Sequence, residues 1–127
     1  SNVNLEAGAK GYIKTQSVQT FELVTCMQVL EHVADPLDLL QNISVFMASG
    51  SFLYFEVPFE KVMQREIMPS ERVTLKRHWH EHINFFSEQG LTELANRAGM
   101  KVVSSRVYSP MNNPTGGEIF QFLCNKI

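Results

Sequence analysis

The chain is short of the features that mark several functional classes. It has only two cysteines, Cys26 and Cys124, each in an apolar run and without a pairing pattern, so buried free thiols in a reducing compartment are expected instead of a disulfide framework. No apolar run approaches the ~20 residues that a spanning helix needs, and no charged segment leads into an apolar one at the start. Charge of one sign is also missing: the formal net charge is -2, with an isoelectric point near 6.1, whereas nucleic-acid binding calls for a basic face. These absences lead to the expectation of a cytoplasmic protein with neither a nucleic-acid nor a membrane partner. Glycine is scattered, with seven in 127 residues and no Gly-x-Gly. No internal repeat or low-complexity segment is present.

What is present centres on residues 21–36, Phe-Glu-Leu-Val-Thr-Cys-Met-Gln-Val-Leu-Glu-His-Val-Ala-Asp-Pro. The apolar start reads as a strand buried on both faces, over 21–27, and it breaks into a polar turn carrying Glu31 and His32. Asp35 is placed to cap a helix whose first residue is Pro36, where a missing N–H does no harm. In open α/β sheets a ligand lies just outside the carboxyl ends of such strands, so the functional edge is expected near Cys26 to His32.

Leu37, Leu40, Ile43 and Met47 recur at helical spacing and predict a helix over 36–48, ended by Ser49-Gly50. A second buried strand is predicted over 51–57, stopped by Pro58, and the helix between makes the pair parallel. Residues 59–86 have poor periodicity. Val62, Met63, Ile67 and Met68 suggest a short helix ended by Pro69, and the interleaved charges of this stretch read as solvated surface. Ser87 caps a helix over 88–98 whose Leu91, Leu94, Ala95 and Ala98 face the sheet, with Gly99 as its left-handed terminator. Strands over 101–108 and 118–125 follow, antiparallel because no helix separates them. Residues 1–20 carry only a weak strand signal.

Residues 21–36 resemble the fourth strand and following turn of class I S-adenosylmethionine-dependent methyltransferases, whose wording is Phe-Asp-Leu-Val, then Leu-Glu-His-Val and Asp-Pro; here Glu22 stands for the aspartate. Residues 51–58 resemble the fifth strand. His80-Glu81-His82-Ile83-Asn84-Phe85-Phe86-Ser87 is similar to a block of members that methylate sugars and other small molecules. The resemblance implies an α/β, Rossmann-like fold, mostly parallel, with a final reversed strand inserted beside the fifth. It also implies S-adenosylmethionine as cofactor, with Cys26, Met27 and Gln28 passing its methionine end largely through backbone and shape. In the related sugar enzymes the block lines the acceptor pocket, which makes His82, Glu81 and His80 the candidate catalytic residues; Trp79 stands where those members have tyrosine.

Read without the resemblance, the alternating His78, His80 and His82 are open to three accounts. They could ligate a metal, although no second cluster at ligand spacing exists, so no metal site is assigned. They could be hydrogen-bonding surface imidazoles, or they could serve an acceptor site, where imidazole is the side chain suited to removing a proton near neutral pH. His32 is equally open to a structural or a catalytic reading.

The family binds its cofactor chiefly through a Gly-x-Gly turn and an acidic residue ending the second strand, and neither is found here. Residues 21–127 are therefore expected to be the carboxyl-terminal part of a methyltransferase-like domain, with the amino-terminal cofactor-binding half absent and the fragment itself inactive. In that arrangement the strand over 21–27 becomes an uncovered apolar edge, which predicts a homo-oligomer, while the substrate is a small-molecule acceptor. The rival readings are a non-catalytic interaction domain derived from the same fold and a metal-binding protein.

Overall fold

The structure is a computed structural model and describes residues 19–59, 83–110 and 117–127. Strand β1, Phe21–Met27, leads through a 3-10 turn, Leu30–His32, into helix α1, Pro36–Val45, and then strand β2, Met47–Phe59. Helix α2, Glu88–Arg97, precedes strands β3, Met100–Tyr108, and β4, Glu118–Lys126. The four strands form one sheet in the order β1-β2-β4-β3. β1 and β2 run parallel, and β4 is antiparallel to both β2 and β3. This is the mixed α/β, Rossmann-like arrangement expected from the sequence, with the last strand inserted beside β2.

Both helix starts follow from side-chain caps. The Asp35 carboxylate accepts from the Asp38 N–H at 3.0 Å, and the Ser87 hydroxyl accepts from the Gly90 N–H at 3.0 Å. Each satisfies a donor that an α-helix leaves orphaned in its first turn. Gly90 fits its place sterically, since a Cβ there would lie 3.1 Å from the Ser87 hydroxyl oxygen. Helix α2 closes on Gly99, whose φ of +82° belongs to the left-handed region.

The largest departures from the sequence expectation lie around β2, the other bounds moving by one residue at most. Helix α1 ends at Val45, three residues early, because Met47 is already paired with Phe21 and the Phe21 N–H donates to the Phe46 carbonyl at 2.8 Å. Ser49-Gly50 therefore does not terminate a helix. It lies in a bulge of β2, where the register moves from Phe21↔Met47 to Leu23↔Phe52 and Gly50 takes a φ of +82°. Pro58 does not stop β2 either. The ladder with β1 has finished at Met27↔Glu56, so among the described residues Pro58 is paired only on the β4 side, and a one-sided strand tolerates a missing N–H.

The core lies between the sheet and the two helices. Leu53, Phe55 and Val57 of β2 and Phe120, Phe122 and Cys124 of β4 are buried, and they meet Leu40 and Ile43 of α1 and Leu91 and Ala95 of α2. Phe55 and Phe122 stack with ring centroids 5.0 Å apart. Strand β1 was expected to be buried on both faces. Among the described residues it is half-buried: Val24 and Cys26 turn toward the core, while Leu23 and Met27 are 58% and 54% exposed. The helices α1 and α2 cover a single face. At the far end of β4 the Lys126 ammonium donates to the Ser44 and Met47 carbonyls at 2.5 and 2.7 Å, a cation placed at the carboxyl terminus of α1.

Truncating the central stack should separate core from cap energetics. Phe122→Ala is expected to lower unfolding free energy by about 3–5 kcal/mol and Asp35→Ala by about 1 kcal/mol, measured by urea titration. Equal midpoint shifts for the two variants would contradict this assignment of the core.

Candidate functional site

The parallel strands β1 and β2 bring their carboxyl ends to one edge, and the chain leaves that edge abruptly. Gln28, the residue after β1, has a φ of +56°, and its N–H donates to the Glu56 carbonyl at 3.0 Å. A left-handed conformation at a residue other than glycine is uncommon and strained by about 1 kcal/mol or more, so the bond to β2 holds a turn that glutamine alone would not favour. The exit feeds the 3-10 turn, in which Leu30 and Glu31 are both buried.

Glu31 is a carboxylate with 1% of its surface exposed, and the Nε2 of half-exposed His32 stands 3.4 Å from its Oε1. Its main-chain carbonyl accepts from the Ile83 and Asn84 N–H groups at 2.9 and 3.1 Å. The Asn84 side-chain amide then donates to the Leu30 carbonyl at 3.0 Å and to the Val33 carbonyl at 2.6 Å. Four hydrogen bonds thus stitch the start of the segment before α2 to the turn after β1. The sequence reading passed over Asn84, because the contact spans more than 50 residues and has no local signature.

Among the expected cofactor residues, Cys26 turns its thiol into the core. Burial, helped by the negative charge of Glu31, pushes its pKa up to about 11, so it is inert at neutral pH. Only its backbone is available to a ligand. Met27 is exposed and Gln28 half-buried at the edge, where both can border a bound molecule. His80, Glu81 and His82, the expected catalytic residues, and His78 lie outside the described residues. What is described is Ile83, the residue joined directly to His82. Among the described residues no group of His, Cys, Asp and Glu could hold a metal ion, and no helix is long and apolar enough to cross a membrane.

A second polar cluster lies on the sheet face turned away from the helices. The Tyr54 hydroxyl donates to Glu56 Oε1 at 2.5 Å, the Gln121 amide donates to the same oxygen at 2.9 Å, and Arg106 Nε donates to Gln121 Oε1 at 2.5 Å. Burial, followed by the hydrogen bond and charge of Glu56, raises the Tyr54 pKa to about 12. The period-two spacing of Tyr54 and Glu56 could have signalled their shared face, but their cross-strand partners follow only from the β2–β4 register.

A family described as "Methyltransferase domain" matches residues 4–105. The chain belongs to the methyltransferase-domain family. Its resemblance to class I S-adenosylmethionine-dependent methyltransferases is thus supported over residues 4–105 as well as by three motifs. The ubiquinone biosynthesis O-methyltransferase of Coxiella burnetii is 29% identical over 107 residues, covering 80% of this chain and 46% of that protein. The enzyme of the same name from Pseudoalteromonas translucida is 28% identical over 123 residues, covering 86% and 52%. This methyltransferase domain therefore spans about half the length of the curated relatives it matches. Among solved structures, a SAM-dependent methyltransferase from Methanosarcina mazei superposes with a TM-score of 0.65 at 14% identity, over 89% of this chain and 63% of that one. The [4+2]-cyclase SpnF gives 0.64 at 11% identity, over 88% and 53%. These two likenesses establish the fold.

The buried thiols make a pH prediction. Burial raises both Cys26 and Cys124 from 9.0 to about 11 in the folded state, so their contribution to stability is complete below pH 9 and is lost as pH rises through 11. Unfolding free energy should fall across that window, and a Cys26→Ala, Cys124→Ala double variant should flatten the fall, leaving the later loss due to Tyr54. An unchanged slope in the double variant would refute the assignment.

Proposed function

We propose that the protein containing this methyltransferase domain transfers a methyl group from S-adenosylmethionine to a small-molecule acceptor. The observation that carries the proposal is the stitch between two segments at the carboxyl edge of β1 and β2. The turn that follows the expected cofactor residues Cys26, Met27 and Gln28, and Ile83 and Asn84 of the block that resembles the acceptor-lining one, are joined there by hydrogen bonds from Ile83 and Asn84 to Glu31. The ubiquinone biosynthesis O-methyltransferase relatives favour a hydroxyl as the acceptor group.

The described residues fit one end of such a cofactor. Exposed Met27 and half-buried Gln28 border the exit of β1, which is shaped by the left-handed Gln28. When bound, the cofactor supplies a sulfonium methyl that is displaced in line by the acceptor. The chain's own work is positioning and proton removal. His82 takes the acceptor proton as general base, and Glu81 and His80 border the same pocket. Since the sequence has no Gly-x-Gly, residues 1–127 alone are proposed to bind the cofactor weakly and to be inactive.

Methyl transfer is tested by following labelled methyl from S-adenosylmethionine into hydroxyl-bearing small molecules with the full-length protein. His82→Ala should lower turnover by about 10² to 10⁴ while leaving cofactor affinity unchanged. Turnover within twofold of wild type would remove His82 from the mechanism, and micromolar cofactor binding by residues 1–127 would overturn the proposed weakness.

The exposed β1 edge carries the oligomer reading. Among the described residues β1 ends the sheet, with Leu23 and Met27 exposed and Glu22 its sole charge. Unblunted apolar edges favour pairing with another strand, so a homo-oligomer joined near β1 is proposed for residues 1–127. Sedimentation of a stable monomer would refute it.

A further inference from the structure

We infer that Asn84 is a positioning residue, one that sets the Glu31–His32 turn against the segment entering α2. The inference rests on the methyl-transfer reading for its functional half. It stands on geometry for the rest.

An asparagine side-chain amide has two N–H donors, and here both are used on carbonyls of one short turn: Leu30 at 3.0 Å and Val33 at 2.6 Å. Those carbonyls bracket the buried Glu31 and the His32 imidazole 3.4 Å from it. A 3-10 turn of three residues has few internal bonds to hold its shape; the His32 N–H reaches the Val29 carbonyl at 2.9 Å. The bonds that arrive from Ile83 and Asn84 therefore help to fix the turn that carries Glu31 and His32. The same residues stand next to His82 in the chain, and consecutive Cα atoms are about 3.8 Å apart across a trans peptide. Any slack at Asn84 is transmitted to the turn at Leu30 and Val33. A misplacement of about 1 Å in a site that works by positioning can lower the rate about 100-fold.

The nearest substitutes do not reproduce this contact. Aspartate has the same shape but offers acceptors to two carbonyl acceptors, and glutamine carries the amide one methylene too far. The serine hydroxyl brings a single donor.

The experiment combines amide hydrogen exchange and steady-state kinetics on the full-length protein carrying Asn84→Asp or Asn84→Ala. The expected result is at least tenfold faster exchange at the Ile83 and His32 amides, with β2 and β4 amides unchanged. Turnover should fall at least tenfold while S-adenosylmethionine affinity stays within threefold of wild type. A residue that merely stabilises the fold would lower the unfolding midpoint and leave the rate per folded molecule alone, and that outcome overturns the positioning role. Unchanged exchange in both variants also overturns it, as does an Ile83 amide that exchanges unprotected in the wild type. If wild-type protein transfers no methyl group, the proposed function fails separately, and exchange alone decides whether Asn84 holds the turn.

Discussion

The insertion of β4 between β2 and β3 is the constraint on which the rest of the structure depends. Because β4 runs antiparallel to β2 over eight paired positions, Phe122 comes to face Phe55 and Phe120 comes to face Val57. The face so formed is broad enough to seat both helices. Burial of large aromatic side chains is the main favourable term available to a chain of this size. It also fixes the direction of β2, and through the parallel ladder the direction of β1. The edge at which both strands release their carboxyl ends is a consequence of that packing.

At this edge the backbone does most of the organising. Gln28 is held in a left-handed conformation by a bond to Glu56, and the turn that follows is tied by Ile83 and Asn84. Side chains with the more obvious chemistry are arranged around these bonds or withdrawn from the site. Cys26, which has a reactive side chain, is buried with its thiol kept protonated. Glu31, although buried, is placed beside an imidazole that reaches the surface. Such use of main-chain geometry suits a reaction in which orientation matters more than covalent participation by the protein.

Family and fold answer different questions here. The match over residues 4–105 places the chain among methyltransferase domains, while a [4+2]-cyclase superposes nearly as well as a methyltransferase from Methanosarcina mazei. A shared α/β scaffold does not choose a reaction; the residues at the carboxyl edge of its strands do. The weight therefore rests on the turn after β1 and on what is docked against it.

The sequence alone determined the elements whose causes are local. Asp35-Pro36 and Ser87 start their helices and Gly99 ends the second, because caps act within one turn of the chain. The apolar runs identified all four strands, and the motif wording identified the family. Only the tertiary structure decided where α1 stops, since Met47 is drawn into a ladder with Phe21, and why Pro58 can remain inside β2. It alone showed that Tyr54, Glu56, Gln121 and Arg106 share a network, and that Asn84 grips the turn at Leu30 and Val33. Each of these is a contact between residues far apart in the chain, and no local propensity or spacing encodes which distant carbonyl an asparagine will reach.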